Sequence, residues 1–271
     1  MSESVVDYTT IEDLYQPLSP SFRVDPYPDL HRLRQLDPVH WSRTGYCWVL
    51  SRYNDIKQVL GDKRFAIGLD QLMQIEALKP VFAEPYNQII RTQLLGSDPP
   101  DHTRIRAVLA KAVTPPKLDA LRVVSERIVA DLIAQARAQG GLDLIADFAH
   151  PLPFRVICEI LSIPDSERAP LVHWTHALMR PTDPMPMTPA ETAVTNAAAF
   201  GFRDFFLAMV RRDRVQPGDG FFHDLVVALD EGKLNEEELV ANLILLFCAG
   251  HDTVINLFGN GMLALFRHPR Q

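Results

Sequence analysis

Between Leu239 and Phe258 the chain carries a run that is apolar on nearly every face of a helix: Leu239-Val240-Ala241-Asn242-Leu243-Ile244-Leu245-Leu246-Phe247-Cys248-Ala249-Gly250-His251-Asp252-Thr253-Val254-Ile255-Asn256-Leu257-Phe258. A helix of that kind has no face to give to water and belongs in the middle of a protein, so other elements must be placed around it. Into this helix the sequence sets Ala249-Gly250 followed by His251-Asp252-Thr253, a residue that weakens the helix and three polar side chains that are costly to bury unpaired. Gly250 removes a side chain so that a ligand can approach the backbone, while the Thr253 hydroxyl can bond the carbonyl of residue 249 and locally open the helix. Asp252 beside Thr253 makes an acid–alcohol pair able to relay protons into a dry pocket. The competing reading is a kinked structural helix whose polar groups are satisfied by its neighbours.

The rest of the chain supplies such neighbours. Helical spacing of apolar residues runs over Tyr27 to Leu36 and Tyr53 to Leu60, and then over Ile105 to Val113, Leu118 to Ala138, Phe154 to Leu161, Leu171 to Met179, Ala190 to Arg212, Phe222 to Leu229 and Glu236 to Phe266. One strand pair stands out, a β-hairpin from Val39-His40-Trp41-Ser42 through Arg43-Thr44-Gly45 to Tyr46-Cys47-Trp48-Val49-Leu50. Two stretches read as loops rich in apolar side chains. Leu72 to Leu95 has weak periodicity, and Arg180 to Pro189 packs four prolines and two methionines into ten positions. No repeat or Gly/Ser linker divides the chain, and one domain, possibly incomplete, is expected over residues 1–271. The expected fold is mainly α with a small β-sheet near the N-terminus.

Charge and leader signals narrow the function classes. With 34 acidic against 27 basic residues the net charge is −7, and no strongly positive field is available for nucleic acid or an anionic membrane surface. The opening Met1-Ser2-Glu3-Ser4-Val5-Val6-Asp7 lacks a basic and an apolar leader region, and no apolar stretch approaches the length that spans a bilayer, so a cytoplasmic protein without membrane or nucleic-acid partners is expected. The three cysteines, Cys47, Cys158 and Cys248, are widely spaced and form no C-x-x-C pair, which disfavours disulfides and structural zinc.

A second motif, Ser97-Asp98-Pro99-Pro100-Asp101-His102-Thr103-Arg104-Ile105-Arg106, is a helix start: Asp98 can cap, Pro99 suits the first helical position, and Asp101 complements the positive dipole end. His102 and Arg106, four apart, project from one face and offer a ring N–H and a planar guanidinium side by side, a pairing that suits a carboxylate. Taken alone, a solvated polar helix end is the commoner meaning.

Together the two motifs carry a family resemblance. Ala249-Gly250-His251-Asp252-Thr253 resembles the oxygen-activation motif of the cytochrome P-450 family, and Asp98-Pro99-Pro100-Asp101-His102-Thr103-Arg104-Ile105-Arg106 resembles the haem-propionate helix of its soluble bacterial members. The resemblance covers essentially the whole chain and corresponds to the N-terminal two thirds of that fold. It implies a haem-thiolate monooxygenase of secondary metabolism that binds iron in haem b (iron protoporphyrin IX). Such an enzyme inserts one atom of dioxygen into an apolar small-molecule substrate, hydroxylating or epoxidising it. Its electrons come ultimately from NAD(P)H through a ferredoxin-type redox partner. By the same resemblance His102 and Arg106 would bond the haem propionates, Ala249 and Gly250 would lie over the iron, and Asp252 with Thr253 would deliver protons to the dioxygen. Leu245, and beside it Phe247, would face haem or substrate. The Leu72–Leu95 stretch would lie over the substrate and the Arg180–Pro189 segment would act as a lid between two helices.

The sequence departs from the family in its iron ligand. Members hold iron by a cysteine in a glycine-containing loop downstream of a Glu-x-x-Arg helix. No Glu-x-x-Arg occurs here, and Phe258-Gly259-Asn260-Gly261 is followed by Met262-Leu263 with no cysteine. Cys47 sits in the hairpin, Cys158 in a mid-chain helix, and Cys248 beside Ala249, so no metal ligand is assigned. A C-terminally truncated member, inactive by itself, is the expectation. A non-catalytic relative that binds or activates a partner is the alternative.

Overall fold

Apolar spacing is realised as helix at every long stretch where the sequence predicts it. The computed structural model describes residues 14–271 apart from Thr44, Tyr46, Val113 and Pro184. The Met1–Asp7 stretch, positions 44 and 46 of the hairpin and the Val113 helix end lie outside the described residues.

The chain forms two compact units. One comprises residues 14–66 with Asp183–Pro186 and holds α1 (Pro20–Val24), α2 (Tyr27–Leu36), the antiparallel strands β1 (Val39–Ser42) and β2 (Cys47–Leu50), and α3 (Tyr53–Gly61). The predicted hairpin is present, with Trp41 opposite Trp48 and their rings edge-on at 5.3 Å. Arg34 of α2 donates from Nε to the Ser51 carbonyl at 3.0 Å and fastens the helix to the end of β2.

The second unit comprises Ile67–Thr182 and Met187–Gln271. It is helical throughout: α4 (Leu69–Leu72), α5 (Lys79–Ala83), α6 (Pro85–Thr92), α7 (Asp101–Ala112), α8 (Pro115–Gln139), α9 (Pro151–Ile160), α10 (Ala169–Met179), α11 (Pro189–Val215), α12 (Phe221–Asp230) and α13 (Glu236–Arg267). A π-helical turn over Leu144–Ala149 precedes α9. The expected loop between Leu72 and Leu95 is instead a string of short helices, α5 and α6 among them. Pro80 and Pro85 stand in their first turns, where a missing N–H breaks no helical bond, and so few turns give no readable period. The proline-rich stretch likewise opens with a 3-10 turn, Arg180–Thr182, and is irregular only up to α11, which Thr188 and Glu191 cap reciprocally.

The core gathers on α11 and α13. Phe202 and Phe206 stack at 5.9 Å, Phe247 of α13 meets Phe202 at 5.4 Å, and Leu161, Leu171, Leu225, Leu239 and Leu243 close around them. Gly201 lets α10 reach α11, since a Cβ there would come within 2.6 Å of the Trp174 ring. Contrary to the sequence reading, two helices, α11 and α13, are long and apolar enough to cross a membrane by length and composition. Their apolar residues are numerous because both serve the core: Phe202, Phe206, Leu239 and Phe247 are fully buried.

Candidate functional site

The helix carrying the second motif is anchored to the start of α13. Asn235 and Glu238 cap α13 reciprocally, and Glu236, Glu237 and Glu238 complement its positive end. Arg104 of α7 grips Glu238 with both Nη atoms, Nη1 to Oε2 at 3.0 Å and Nη2 to Oε1 at 2.5 Å, and donates to the Lys233 carbonyl at 2.9 Å. The guanidinium holds the Glu238 carboxyl below its ordinary range. One turn further on, the fully buried Asn242 accepts from the Leu94 N–H at 2.8 Å and donates to the Thr92 and Glu238 carbonyls at 3.3 and 2.8 Å. The segment leading into α7 is thereby tied to the middle of the apolar run. Neither contact enters the sequence reading, although Asn235-x-x-Glu238 is a capping signature and Asn242 is a polar residue in an apolar run.

The start of α7 differs from the expected one. The helix begins at Asp101, and the Pro99–Pro100 bond is cis. Asp98 does not cap with its side chain: its carboxylate accepts from Ile67 N at 2.9 Å and Gly68 N at 2.8 Å, which lowers its pKa, and only its carbonyl serves the helix, through His102 N at 3.0 Å. Gly68 adopts φ +69°, a left-handed conformation suited to glycine, where its N–H meets that carboxylate. His102 is half-buried and Arg106 exposed, on the flank of the buried Ile105–Leu109 stripe. Among the described residues neither side chain has a hydrogen bond or ion pair, so the ring N–H and the guanidinium are both available to an anionic ligand.

Along α13 the environment changes at Ala249. Leu243, Ile244, Phe247, Cys248 and His251 are buried, but Ala249 and Thr253 are exposed and Leu245, Gly250 and Asp252 half-buried. The helix is thus not enclosed along its whole length: the described residues cover Leu245 in part and leave Ala249 and Thr253, on the same face, exposed. Thr253 Oγ1 donates to the Ala249 carbonyl at 2.8 Å, as the spacing predicts, yet the helix runs unbroken from Glu236 to Arg267 rather than opening. The Asp252 carboxylate accepts from Asn256 Nδ2 at 3.4 Å. Gly250 faces α9: a Cβ there would stand 3.2 Å from Ile157 Cδ1. No hydrogen bond or ion pair joins His102 or Arg106 to the Ala249–Thr253 turn among the described residues. Burial pushes the Cys158 and Cys248 thiols up to about 12, so neither is a ready thiolate.

Near the N-terminal end of α13 a cavity of about 640 Å³ is lined by Met73, Phe82, Ile89, Phe200, Leu207 and Val240 among others. Val240 lies nine residues before Ala249, roughly 13 Å along the helix.

The family model described as Cytochrome P450 matches residues 40–271. The chain belongs to the cytochrome P450 family. This P450 chain is 31% identical over 265 residues to the polyketide biosynthesis cytochrome P450 PksS of Bacillus subtilis, with 95% of this chain and 64% of the relative covered. It is 31% identical to the 6-deoxyerythronolide B hydroxylase of Saccharopolyspora erythraea, with 97% and 65% covered. The crystal structure of CalO2 superposes with a TM-score of 0.83 at 29% identity, over 95% of this chain and 64% of that one. The chain therefore spans about 64% of the length of the P450 relatives it matches.

Haem is implied by the P450 family, and the donor set suits it. A flat macrocycle bearing two carboxylates needs an open, largely apolar face and hydrogen-bond donors not already paired. The Leu245–Ala249–Thr253 stripe and the uncommitted His102 and Arg106 have those properties.

Proposed function

We propose that this chain is the N-terminal part of a single P450 domain, comprising both compact units, from a cytoplasmic haem monooxygenase acting on an apolar, polyketide-like small molecule. Two features carry the reading, the uncommitted His102 and Arg106 side chains on α7 and a stripe on α13, exposed at Ala249 and Thr253, that ends in Asp252 and Thr253. Haem, when bound through a cysteine thiolate, supplies activation of dioxygen and the oxidising power for insertion into the substrate. The His102 ring N–H and the Arg106 guanidinium bind the propionates and fix the orientation of the ring. Leu245 and Ala249 would exclude water from the haem pocket, and Gly250 seats α13 on α9. Asp252 takes a proton from solvent on its carboxylate, and Thr253 Oγ1, oriented by its bond to the Ala249 carbonyl, holds the next one inside the site. Electrons originate from NAD(P)H and arrive through a ferredoxin-type donor. The polyketide names of the relatives support the substrate class, and the cavity near the start of α13, where Met73, Phe82 and Ile89 meet Arg91, Arg203 and Glu237, offers both apolar and polar groups to such a molecule.

The same reading holds that this chain by itself does not turn over substrate. Cys158 and Cys248 are kept as thiols by burial and Cys47 belongs to the hairpin unit. Haem titration followed by a reduced carbon monoxide difference spectrum tests both halves. Haem binding weakened at least about tenfold by the double substitution His102→Ala, Arg106→Ala is expected, as removal of two charge-assisted contacts requires. Equal binding by wild type and variant sinks the propionate assignment. A Soret band at the thiolate position sinks the claim that this chain lacks a ligand.

A further inference from the structure

The cavity near the start of α13 opens on the side of that helix away from Leu245, Ala249 and Thr253. Glu236 and Val240 line it, and each stands nine residues before a member of the stripe, Glu236 before Leu245 and Val240 before Ala249. At 3.6 residues per turn, nine residues make about two and a half turns, and α13 runs unbroken over Glu236–Arg267, so the members of each pair point to opposite sides of one helix. The body of α13 therefore stands between the cavity and the stripe. At about 640 Å³ the cavity has the size, roughly 300–1,000 Å³, of small-molecule sites. Its walls are single faces of helices: Pro85, Gln88, Ile89 and Thr92 come from α6, and Phe200, Arg203 and Leu207 from α11. Polar ties hold those walls in place. Asn196 of α11 accepts from the Tyr86 N–H at 3.2 Å, and Asn242 of α13 donates to the Thr92 carbonyl at 3.3 Å. Arg203 lies over the Phe200 ring, 4.8 Å from its centroid, and donates to Asp204, while Arg91, Glu236 and Glu237 have no hydrogen bond or ion pair among the described residues. The lining thus sets two guanidiniums beside two carboxylates over Phe82, Ile89 and Leu207, with no net charge for an ion to answer. A hydroxyl group can donate to either glutamate, and a carbonyl can accept from either arginine.

We propose that this cavity is a second binding site, separate from the haem face, for a neutral apolar molecule that carries hydroxyl and carbonyl groups. The molecule is held there without being oxidised, because α13 lies between it and the Ala249–Thr253 turn. Phe200 supplies a flat apolar contact, and Arg91 and Glu237 supply the polar ones. An anion would meet Glu236 and Glu237 and a cation would meet Arg91 and Arg203, a repulsion that the neutral molecule avoids. The inference rests on the proposed function for the polyketide-like class of the molecule and for the place of the haem.

The test needs no haem, so a failure of haem binding leaves it intact. The 271-residue chain, labelled with ¹³C in its methionine, isoleucine, leucine, valine and alanine methyl groups, is titrated by NMR with 6-deoxyerythronolide B, the macrolactone in the name of one hydroxylase relative. Saturable shifts are expected at Met73, Ile89, Leu207 and Val240, with a binding curve of their own rather than that of Leu245 and Ala249. The double substitution Arg91→Ala, Glu237→Ala should weaken that curve at least about tenfold, the scale of lost hydrogen bonds to charged groups. Both side chains are exposed, so the fold persists, and Phe200→Ala, also at an exposed position, should weaken the same curve. Shifts confined to Leu245 and Ala249 overturn the second site and leave the substrate reading standing. Cavity shifts that neither variant weakens also overturn it. Dodecanoate or dodecylamine moving the cavity methyls at lower concentration than the macrolactone overturns the choice of a neutral ligand. No shift at either place counts against the polyketide-like class together with the site.

Discussion

Arg104 and Glu238 make a two-point contact, Nη1–Oε2 at 3.0 Å and Nη2–Oε1 at 2.5 Å, that joins the helix bearing His102 and Arg106 to the first turn of the helix bearing Asp252 and Thr253. Glu238 is the more enclosed partner, its side chain 11% exposed against 40% for Arg104, and the same carboxylate also caps α13 through Asn235 N at 3.0 Å. The orientation of α7 and the start of α13 thus depend on one carboxylate.

Glu238→Gln keeps the cap but weakens the fork. With Arg104 partly solvated, a loss of about 1 kcal/mol is expected in urea unfolding, and more for Glu238→Ala, which also opens the capping box. The pH dependence has a defined sign. Because Arg104 lowers the Glu238 pKa from 4.5, its contribution is present above that value and is lost as pH falls through the depressed one. An unchanged unfolding midpoint for Glu238→Ala would show that the fork orders α7 without stabilising it.

His251 gives the opposite ionic case. A base whose pKa falls from 6.5 to about 4 on folding takes up protons in the unfolded state first, so stability is complete above 6.5 and drains away as pH falls toward 4. The change is on the order of a few kcal/mol. Urea unfolding measured from pH 4 to 7 should show this slope in the wild type and a flatter one in His251→Phe. The phenyl ring fills the same edge-on place against His150 and Phe154 without a titrating group.

Two glycines separate close packing from ligand access. At Gly201 a Cβ would meet the rigid Trp174 indole at 2.6 Å, so Gly201→Ala is expected to cost about 1–3 kcal/mol. At Gly250 it would meet the flexible tip of Ile157 at 3.2 Å, and the gain in helix propensity of up to about 1 kcal/mol offsets the crowding. Gly250→Ala should therefore melt within a degree or two of wild type. A large loss would mean that α9 cannot yield, and weakened haem binding without a loss of stability would return Gly250 to the ligand side.

How much was legible in the sequence follows from how local each feature is. The course of α13 could be read because its apolar residues recur over many turns, and the Thr253–Ala249 bond because both ends lie four residues apart on one helix. The helices α5 and α6 could not, since five and eight residues hold too few turns for a period to show. The sequence around Asp98 fits a helix cap, while its actual partners, Ile67 and Gly68, lie some thirty residues away. The ring contacts among His150, His176 and His251 draw on three elements that meet only when packed. The open face at Ala249 depends on what does not cover it, which no periodicity reports.

Asn242 is the sharpest remaining test of how the segment before α7 is held. Its side chain is fully buried in a run of leucines and makes three hydrogen bonds, one of them the acceptor for the Leu94 N–H. Asn242→Leu fits the apolar surroundings yet strands the Leu94 N–H and the Thr92 carbonyl, and an unsatisfied buried group costs about 1–3 kcal/mol. The loss should be local before it is global, because the broken bonds belong to the short α6 and the turn after it rather than to the core of α11 and α13. Hydrogen exchange should therefore quicken at Leu94 at least about tenfold, as a loss of 1.4 kcal/mol implies. Amides of α11 should slow or quicken only with overall stability. Should Leu94 exchange at its wild-type rate in the variant, the segment is held by the packing of Ile89 and Leu94 against the core and Asn242 merely satisfies its own polar atoms.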